Sequence, residues 1–199
     1  MAHETTAPNH HAHFPPFTGI RGYVAALTMI TGRSGNADLA IELTRMRHGD
    51  VVVDIGCGPG AAARRAASRG AAEVVGIDPS RPMLRVARLL TRSRAVRYVE
   101  GEAEAVPLPD GSATVVWSLA TVHHWDDVDR ALEEVHRVLQ AGGRFLVTER
   151  ARSEDAQGLA SHGWTTTQSA AFADACRAHG FTGVTDARHG TVLTVAAQR

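Results

Sequence analysis

The 199-residue sequence has little cysteine, no net charge and no long apolar run. Neither Cys57 nor Cys176 sits in a paired metal-ligand spacing such as Cys-x-x-Cys, which fits a reduced, cytoplasmic setting. Basic and acidic residues both number 21, so no overall field favours a nucleic-acid backbone or an anionic membrane. No segment approaches the roughly 18 apolar residues of a membrane span, and the amino terminus has no apolar signal core. We therefore expect a cytoplasmic protein without nucleic-acid or membrane partners.

The composition predicts one folded domain preceded by an arm. Apolar residues make up 44% and charged residues 21% of the chain, which is ordinary for a soluble protein. Residues 1–17 are rich in histidine and proline, and residues 1–35 are predicted to form an arm or lid, with the domain spanning 36–199. His10, His11 and His13 lie in this segment without a fourth ligand at defined spacing. We expect no metal site there or elsewhere in the chain.

From Val51 onward, short β-branched runs alternate with helical patterns, as a parallel sheet covered by helices requires. Helices are expected at 36–47 and 61–69. A third helix is expected to start after Ser80, a fourth to run from Asp126 or Asp127 up to Gly142-Gly143, and a fifth to end at His179. Residues 150–166 are expected to form a loop. The predicted class is α/β: a Rossmann-like, doubly wound, mostly parallel seven-stranded sheet with helices on both faces and an antiparallel edge hairpin. The strands are expected at 51–55, 73–77, 96–99, 114–118, 144–149, 184–187 and 191–197.

Three predicted strand ends carry groups suited to a nucleoside. In such sheets ligands bind beyond the carboxyl ends of the strands, beside strand one. The turn after strand one has three alternate glycines at 56, 58 and 60, and glycine lets the backbone bend sharply and approach a ligand closely. Asp78 ends strand two at about the 20-residue offset expected of a carboxylate that accepts from ribose hydroxyls. Glu102 follows strand three as a second acidic acceptor.

Four segments of the chain carry recognisable motifs: 52–60, 76–80, 101–110 and 139–143. Their order and spacing resemble those of the successive motifs of the class I S-adenosylmethionine-dependent methyltransferases. The resemblance covers about residues 36 to 150. It implies an enzyme that transfers a methyl group from S-adenosylmethionine to a small-molecule acceptor, releasing S-adenosylhomocysteine.

The resemblance also implies roles for individual residues at the cofactor end of the site. The glycine turn would lie against the methionine part and the ribose, Asp78 would bind the ribose hydroxyls, and other groups would hold the adenine and the amino-acid end. The cofactor-binding candidates are Asp54, Gly56, Cys57, Gly58 and Gly60 around the turn, Asp78, Pro79 and Met83, Glu102 and Ala103 at the adenine edge, and Ser118 and Leu119 after strand four.

A nicotinamide-dependent oxidoreductase is the rival interpretation. Gly56-x-Gly58-x-x-Ala61 also satisfies the dinucleotide fingerprint. A pyrophosphate needs backbone N–H groups at the helix start, however, and Pro59 removes one of them. Acidic groups at the three strand ends suit a cationic sulfonium better than two phosphates. A third interpretation is a domain that binds S-adenosylmethionine without catalysis.

The acceptor end is less defined by the sequence. His123 and His124 follow strand four, where an acceptor would meet the methyl group, and either could serve as general base if the acceptor loses a proton. Tyr23 in the arm and Trp164 after strand five are candidate substrate contacts. The short segment after strand five argues against a large protein substrate. Neither the acceptor nor the oligomeric state follows from the sequence.

Overall fold

A computed structural model describes residues 34–156 and 162–199, in which seven strands form one sheet. Tyr23 and almost all of the predicted arm lie outside the described residues. The strands are β1 Val51–Ile55, β2 Glu73–Asp78, β3 Val96–Glu100, β4 Ala113–Leu119, β5 Leu139–Arg150, β6 Thr182–His189 and β7 Val192–Gln198. The helices are α1 Ser34–Leu43, α2 Ala61–Ser68, α3 Arg81–Leu90, α4 Val128–Val138 and α5 Thr166–Ala178, with a short 3₁₀ helix at Val122–His124.

The strand order β3-β2-β1-β4-β5-β7-β6 confirms the predicted doubly wound sheet. Strands β1 to β5 are parallel to one another, whereas β7 lies between β5 and β6 and is antiparallel to both. The order reverses at β1, which has β2 on one side and β4 on the other. This arrangement opens a crevice at the carboxyl end of β1, where open α/β sheets bind their ligands.

Strand β1 is buried on both faces, which is why its sequence is apolar without alternation. Val52 packs in the cluster that contains the alanines of α1 and α2 and the inner face of α3. Val53 and Ile55 pack in the opposite cluster, with α4 and α5. The predicted helices therefore cover both faces of the sheet. Within the described residues, no helix is both long and apolar enough to cross a membrane.

Two predicted helix starts are confirmed by their caps. The Ser80 side chain accepts from the backbone N–H of Met83 at the start of α3. Asp127, one of two candidates from the sequence, accepts from the backbone N–H of Arg130 at 3.0 Å at the start of α4. A side-chain oxygen satisfies an N–H that has no partner within the helix, so the sequence marks where these helices begin.

The predicted boundary between α4 and β5 was wrong. The helix ends at Val138 instead of continuing to Gly142-Gly143, and Leu139 already pairs with Ala113 of β4. Regular pairing resumes at Arg144, so residues 140–143 form an irregularity inside the strand, with Gly142 at φ 74°. Strand β5 starts earlier than predicted because the Leu139 side chain is fully buried and its backbone pairs with β4.

The segment after β5 is partly ordered against the sheet rather than an open loop. Ala151 and Trp164 form an isolated bridge that joins its two ends, and residues 157–161 lie outside the described residues. Trp164, a candidate substrate contact from the sequence, is only 2% exposed and stacks on Phe172 with ring centroids 5.0 Å apart. The structure places this indole in the core, where it packs against α5.

Candidate cofactor and acceptor site

The glycine turn after β1 needs glycine at three alternate positions. Gly56, Gly58 and Gly60 have φ of 72°, 51° and 76°, the left-handed region that costs other residues energy. A Cβ on Gly56 would lie 2.5 Å from the Thr121 hydroxyl oxygen, which is closer than side chains approach. The turn is therefore fixed both by its backbone conformation and by the loop packed against it.

The backbone N–H groups of this turn donate inside the protein. Gly58 donates to the Asp78 carboxylate at 2.8 Å, and Pro59 has no N–H to offer. The four backbone N–H groups of residues 56 to 60 therefore all have partners within the protein, so the turn offers a ligand no row of donors for phosphate. The other three donors are Gly56 and Cys57, both to the Ile77 carbonyl at 2.8 and 3.0 Å, and Gly60, to the Cys57 carbonyl at 3.0 Å.

Asp78 lies at the end of β2 and is 8% exposed. One carboxylate oxygen accepts from Gly58 of the turn, and the other accepts from the Ser80 N–H at 2.8 Å, at the start of α3. Two backbone N–H groups therefore orient the Asp78 carboxylate, which joins the turn to the start of the next helix.

A pocket opens beside the turn, between β1 and β4. Asp54, 1% exposed at the end of β1, contributes a carboxylate to this mostly apolar wall. Leu119 of β4 closes the opposite side. The lining residues are Asp54, Gly56, Cys57, Pro59, Ala61, Ala62 and Leu119.

Thr121 packs against the glycine turn. It was not among the predicted site residues. Its hydroxyl contacts the Ile55 carbonyl at 3.2 Å and the Ser118 hydroxyl at 2.5 Å. The preceding Ala120 has φ 58°, which bends the chain sharply after β4. The only sequence signal for Thr121 is its position just beyond a strand that neighbours β1.

The candidates at the adenine end lie on the side of β2 and β3. Pro79 is exposed, while Met83 is buried beneath it in the first turn of α3. Glu102 is exposed just after β3, and Ala103 is buried. The structure therefore places these candidates at consecutive strand ends, with the exposed Pro79 and Glu102 available to a ligand.

Cys57 lies in the turn with a buried thiol. Burial, together with the nearby Asp54 and Asp78 carboxylates, raises the pKa of this thiol well above its usual range. Burial also raises the pKa of Cys176 to about 12. Because the thiolate is the nucleophilic form, neither residue has the character of a reactive cysteine.

We expect both thiols to react slowly with a disulfide reagent in the folded protein at about pH 8, since raised pKa values leave little thiolate there. Unfolding in denaturant should release both at the rate of a free thiol. A colorimetric thiol assay measures this, and the Cys57→Ser variant reports on Cys176 alone. Rapid reaction of one native thiol at that pH would contradict the assigned burial and pKa directions.

The two candidate histidines at the acceptor end differ in their surroundings. His123 is 7% exposed, and its ring Nδ1 lies 2.9 and 3.0 Å from the two carboxylate oxygens of Glu149. Glu149 is fully buried near the end of β5. His124 is partly exposed, with its ring centroid 4.1 Å from that of His123. The buried carboxylate thus orients His123, one of the two histidines that the sequence offered as a general base.

Two residues of this cluster were missed by sequence reasoning. His162 approaches from the segment after β5, and its Nδ1 lies 3.4 Å from His123 Nε2. No local spacing connects it to the other histidines. Glu149 could have been found, because β5 runs parallel to β4 and brings its carboxyl end beside the residues that follow Leu119.

The middle of the chain matches a known family. Residues 53–147 match the family model described as a methyltransferase domain. The chain is 36% identical over 120 residues to the uncharacterized methyltransferase YcgJ of Bacillus subtilis, covering 59% of this chain and 47% of that protein. The crystal structure of YcgJ aligns with a TM-score of 0.65 at 27% identity, over 77% of this chain and 70% of that chain.

Two further relatives have named acceptors. The malonyl-[acyl-carrier protein] O-methyltransferase of Pseudescherichia vulneris is 38% identical over 113 residues, which cover 57% of this chain and 44% of that protein. The demethylmenaquinone methyltransferase of Thermus thermophilus is 38% identical over 115 residues, covering 56% and 50%. The chain thus spans about half the length of the curated relatives it matches.

The sheet order, the glycine turn and these matches together define the class. Residues 53–147 form a methyltransferase domain, and the chain is similar in sequence and fold to the class I, Rossmann-like, S-adenosylmethionine-dependent methyltransferases. The resemblance found in the sequence is confirmed for the family and for the fold.

Proposed function

We propose that this protein transfers a methyl group from S-adenosylmethionine to a small-molecule acceptor. The observation that carries the proposal is the glycine turn, whose N–H groups donate inside the protein while Asp78 stands beside it at the end of β2. A pyrophosphate requires free donors at this position. A nucleoside without phosphates requires close backbone approach and a carboxylate for its ribose, and the turn offers both.

The described residues fit such a nucleoside. Asp78 would accept from the ribose hydroxyls, and the exposed Pro79, with the buried Met83 of α3, would offer an apolar surface to the adenine. Glu102 and the backbone of Ala103 would bind the adenine edge. The buried carboxylate of Asp54, in the pocket wall, suits the positively charged amino-acid end of the cofactor, together with the backbone at Ser118 and Leu119.

S-adenosylmethionine supplies an electrophilic methyl group on a positively charged sulfur. A lone pair of the acceptor would form the new bond to the methyl carbon, the sulfur–carbon bond would break with its electron pair moving to sulfur, and an acceptor that carries an O–H or N–H would release its proton to water. The protein has to align the acceptor and exclude water, and alignment alone can contribute about 7–11 kcal/mol. The wall formed by Leu119 and the Thr121 loop serves that alignment here.

Support for a small acceptor comes from the relatives. One of them is named for an acyl group on a carrier protein and another for a quinone precursor. His123 and His124 follow Thr121, which packs on the turn, so we place the acceptor on their side of the site.

The test is methyl transfer from isotopically labelled S-adenosylmethionine to a panel of small carboxylates, phenols, quinols and amines. We expect labelled product and S-adenosylhomocysteine in equal amounts for at least one acceptor class. Binding of the cofactor without transfer to any acceptor would instead favour a non-catalytic binding domain. Hydride exchange with a nicotinamide cofactor would favour the oxidoreductase interpretation.

A further inference from the structure

Three imidazoles from two separate segments meet beside the acceptor end of the site. His123 and His124 lie on the 3₁₀ helix after β4, and His162 lies on the segment after β5. Each of the three rings offers a nitrogen within 4.8 Å of the nitrogens of the other two. The ring centroids of His162 lie 5.4 and 5.9 Å from those of His123 and His124. Three imidazole nitrogens this close together can bind one transition-metal ion.

The distance between two of these nitrogens matches a metal site. Imidazole nitrogens bind Zn²⁺ at about 2.0–2.1 Å, so two nitrogens at tetrahedral positions around one ion stand about 3.3–3.4 Å apart. His123 Nε2 and His162 Nδ1 are 3.4 Å apart. A hydrogen bond between the two rings would have the same length, and titration with a metal ion distinguishes it from a shared ligand position.

Glu149 supplies the outer partner that metal-bound histidines usually have. Its carboxylate lies against Nδ1 of His123, which places the proton on that nitrogen and leaves the lone pair of Nε2 directed to the cluster. The carboxylate is fully buried. A metal ion on the same imidazole would place positive charge close to this buried carboxyl group.

The second segment is held in place by backbone contacts. The Arg150 guanidinium donates twice to the His162 carbonyl, at 2.7 and 3.1 Å, and the Trp164 N–H donates to the Arg150 carbonyl at 2.9 Å. Gly163 has φ 112° and lies so close to the Arg150 carbonyl that a Cβ would collide with it. The buried Trp164 fixes the chain just beyond. His162 is therefore positioned by the fold and not by the histidines alone.

We propose that His123, His124 and His162 bind one transition-metal dication of the Zn²⁺ type, with Glu149 positioning His123. Three imidazoles leave the fourth position of a tetrahedral site open to water or to another oxygen ligand. In this arrangement the imidazole lone pairs are engaged by the ion, so His124 does not act as a general base. This proposal departs from the expectation, drawn from the sequence, that the chain holds no metal.

The test is titration of the chelator-treated full chain with Co²⁺ followed by visible absorption, and with Zn²⁺ followed by calorimetry. We expect one ion per chain and the intense ligand-field bands of four-coordinate Co²⁺. The His162→Ala variant should bind at least about tenfold more weakly, and Glu149→Gln should lose about 10–100-fold in affinity. Far-UV circular dichroism checks that both variants remain folded.

Two controls separate this site from other histidines. The exposed His189→Ala variant and a triple variant with His10, His11 and His13 changed to alanine should retain the bands and the affinity. Loss of binding in the triple variant, with unchanged binding in His162→Ala, would overturn the proposal. Absence of any metal binding by the wild-type chain would overturn it too. Both titrations omit S-adenosylmethionine, so their outcome is independent of the proposed methyl transfer.

Discussion

The Asp78→Ala variant is expected to bind S-adenosylmethionine at least about tenfold more weakly than the wild-type chain. A hydrogen bond to a charged group is typically worth about 1.5–3 kcal/mol, and in the proposed function this carboxylate accepts from the ribose hydroxyls. It also accepts from the N–H groups of Gly58 and Ser80, so its removal leaves the turn and the start of α3 without their common acceptor. Equilibrium dialysis with labelled cofactor measures the change.

The matched control for Asp78 lies on the same strand. Glu73 begins β2 at its opposite end and pairs at the surface with Arg97. The Glu73→Ala variant removes a carboxylate from β2 without touching the crevice, so cofactor affinity should stay unchanged. Equal affinities for the wild-type chain and Asp78→Ala would remove Asp78 from the proposed ribose contact.

The second large effect is expected from Gly56→Ala. A left-handed conformation costs a non-glycine residue about 1–2 kcal/mol, and overpacking typically adds about 1–3 kcal/mol. The new Cβ would lie 2.5 Å from the Thr121 hydroxyl, so either the turn or the loop after β4 has to move. We expect the free energy of unfolding to fall by about 2–5 kcal/mol and cofactor binding to weaken with it.

Gly142→Ala isolates the backbone part of that cost. Gly142 has φ 74°, close to the 72° of Gly56, but a Cβ there would meet nothing within 4 Å. This control should lose only about 1–2 kcal/mol and keep its cofactor affinity. If urea denaturation gives both variants the same loss, the contact between Thr121 and the turn does not constrain the site.

The cofactor end of the site was accessible to sequence reasoning because its parts are local. Each group directly follows a strand, as Gly56 follows β1 and Asp78 ends β2, and parallel strands bring these ends to one edge of the sheet. The hydrogen bond from the Gly58 N–H to the Asp78 carboxylate could not be predicted from the sequence. It shows that a backbone N–H of the turn donates within the protein. That detail strengthens the case against a dinucleotide beyond the missing N–H of Pro59.

The acceptor end depends on contacts between distant segments, which local patterns do not encode. His162 stands 39 residues after His123 and meets it only because β5 and the bridge at Trp164 return the chain to the same edge. Trp164 illustrates the reverse error, since an aromatic residue in a polar segment suggested a substrate contact and packs instead against Phe172. Leu139 was assigned to a helix because an apolar residue at this position continues the apolar stripe of the helix as well as it fits a buried strand.

The most direct test of the central claim, that the turn and Asp78 hold a nucleoside without phosphates, is calorimetric titration of the full chain with S-adenosylmethionine, S-adenosylhomocysteine and NAD. We predict that the first two bind at one molecule per chain and that NAD gives no binding heat. Saturable binding of NAD, with no binding of either adenosyl compound, would contradict the account.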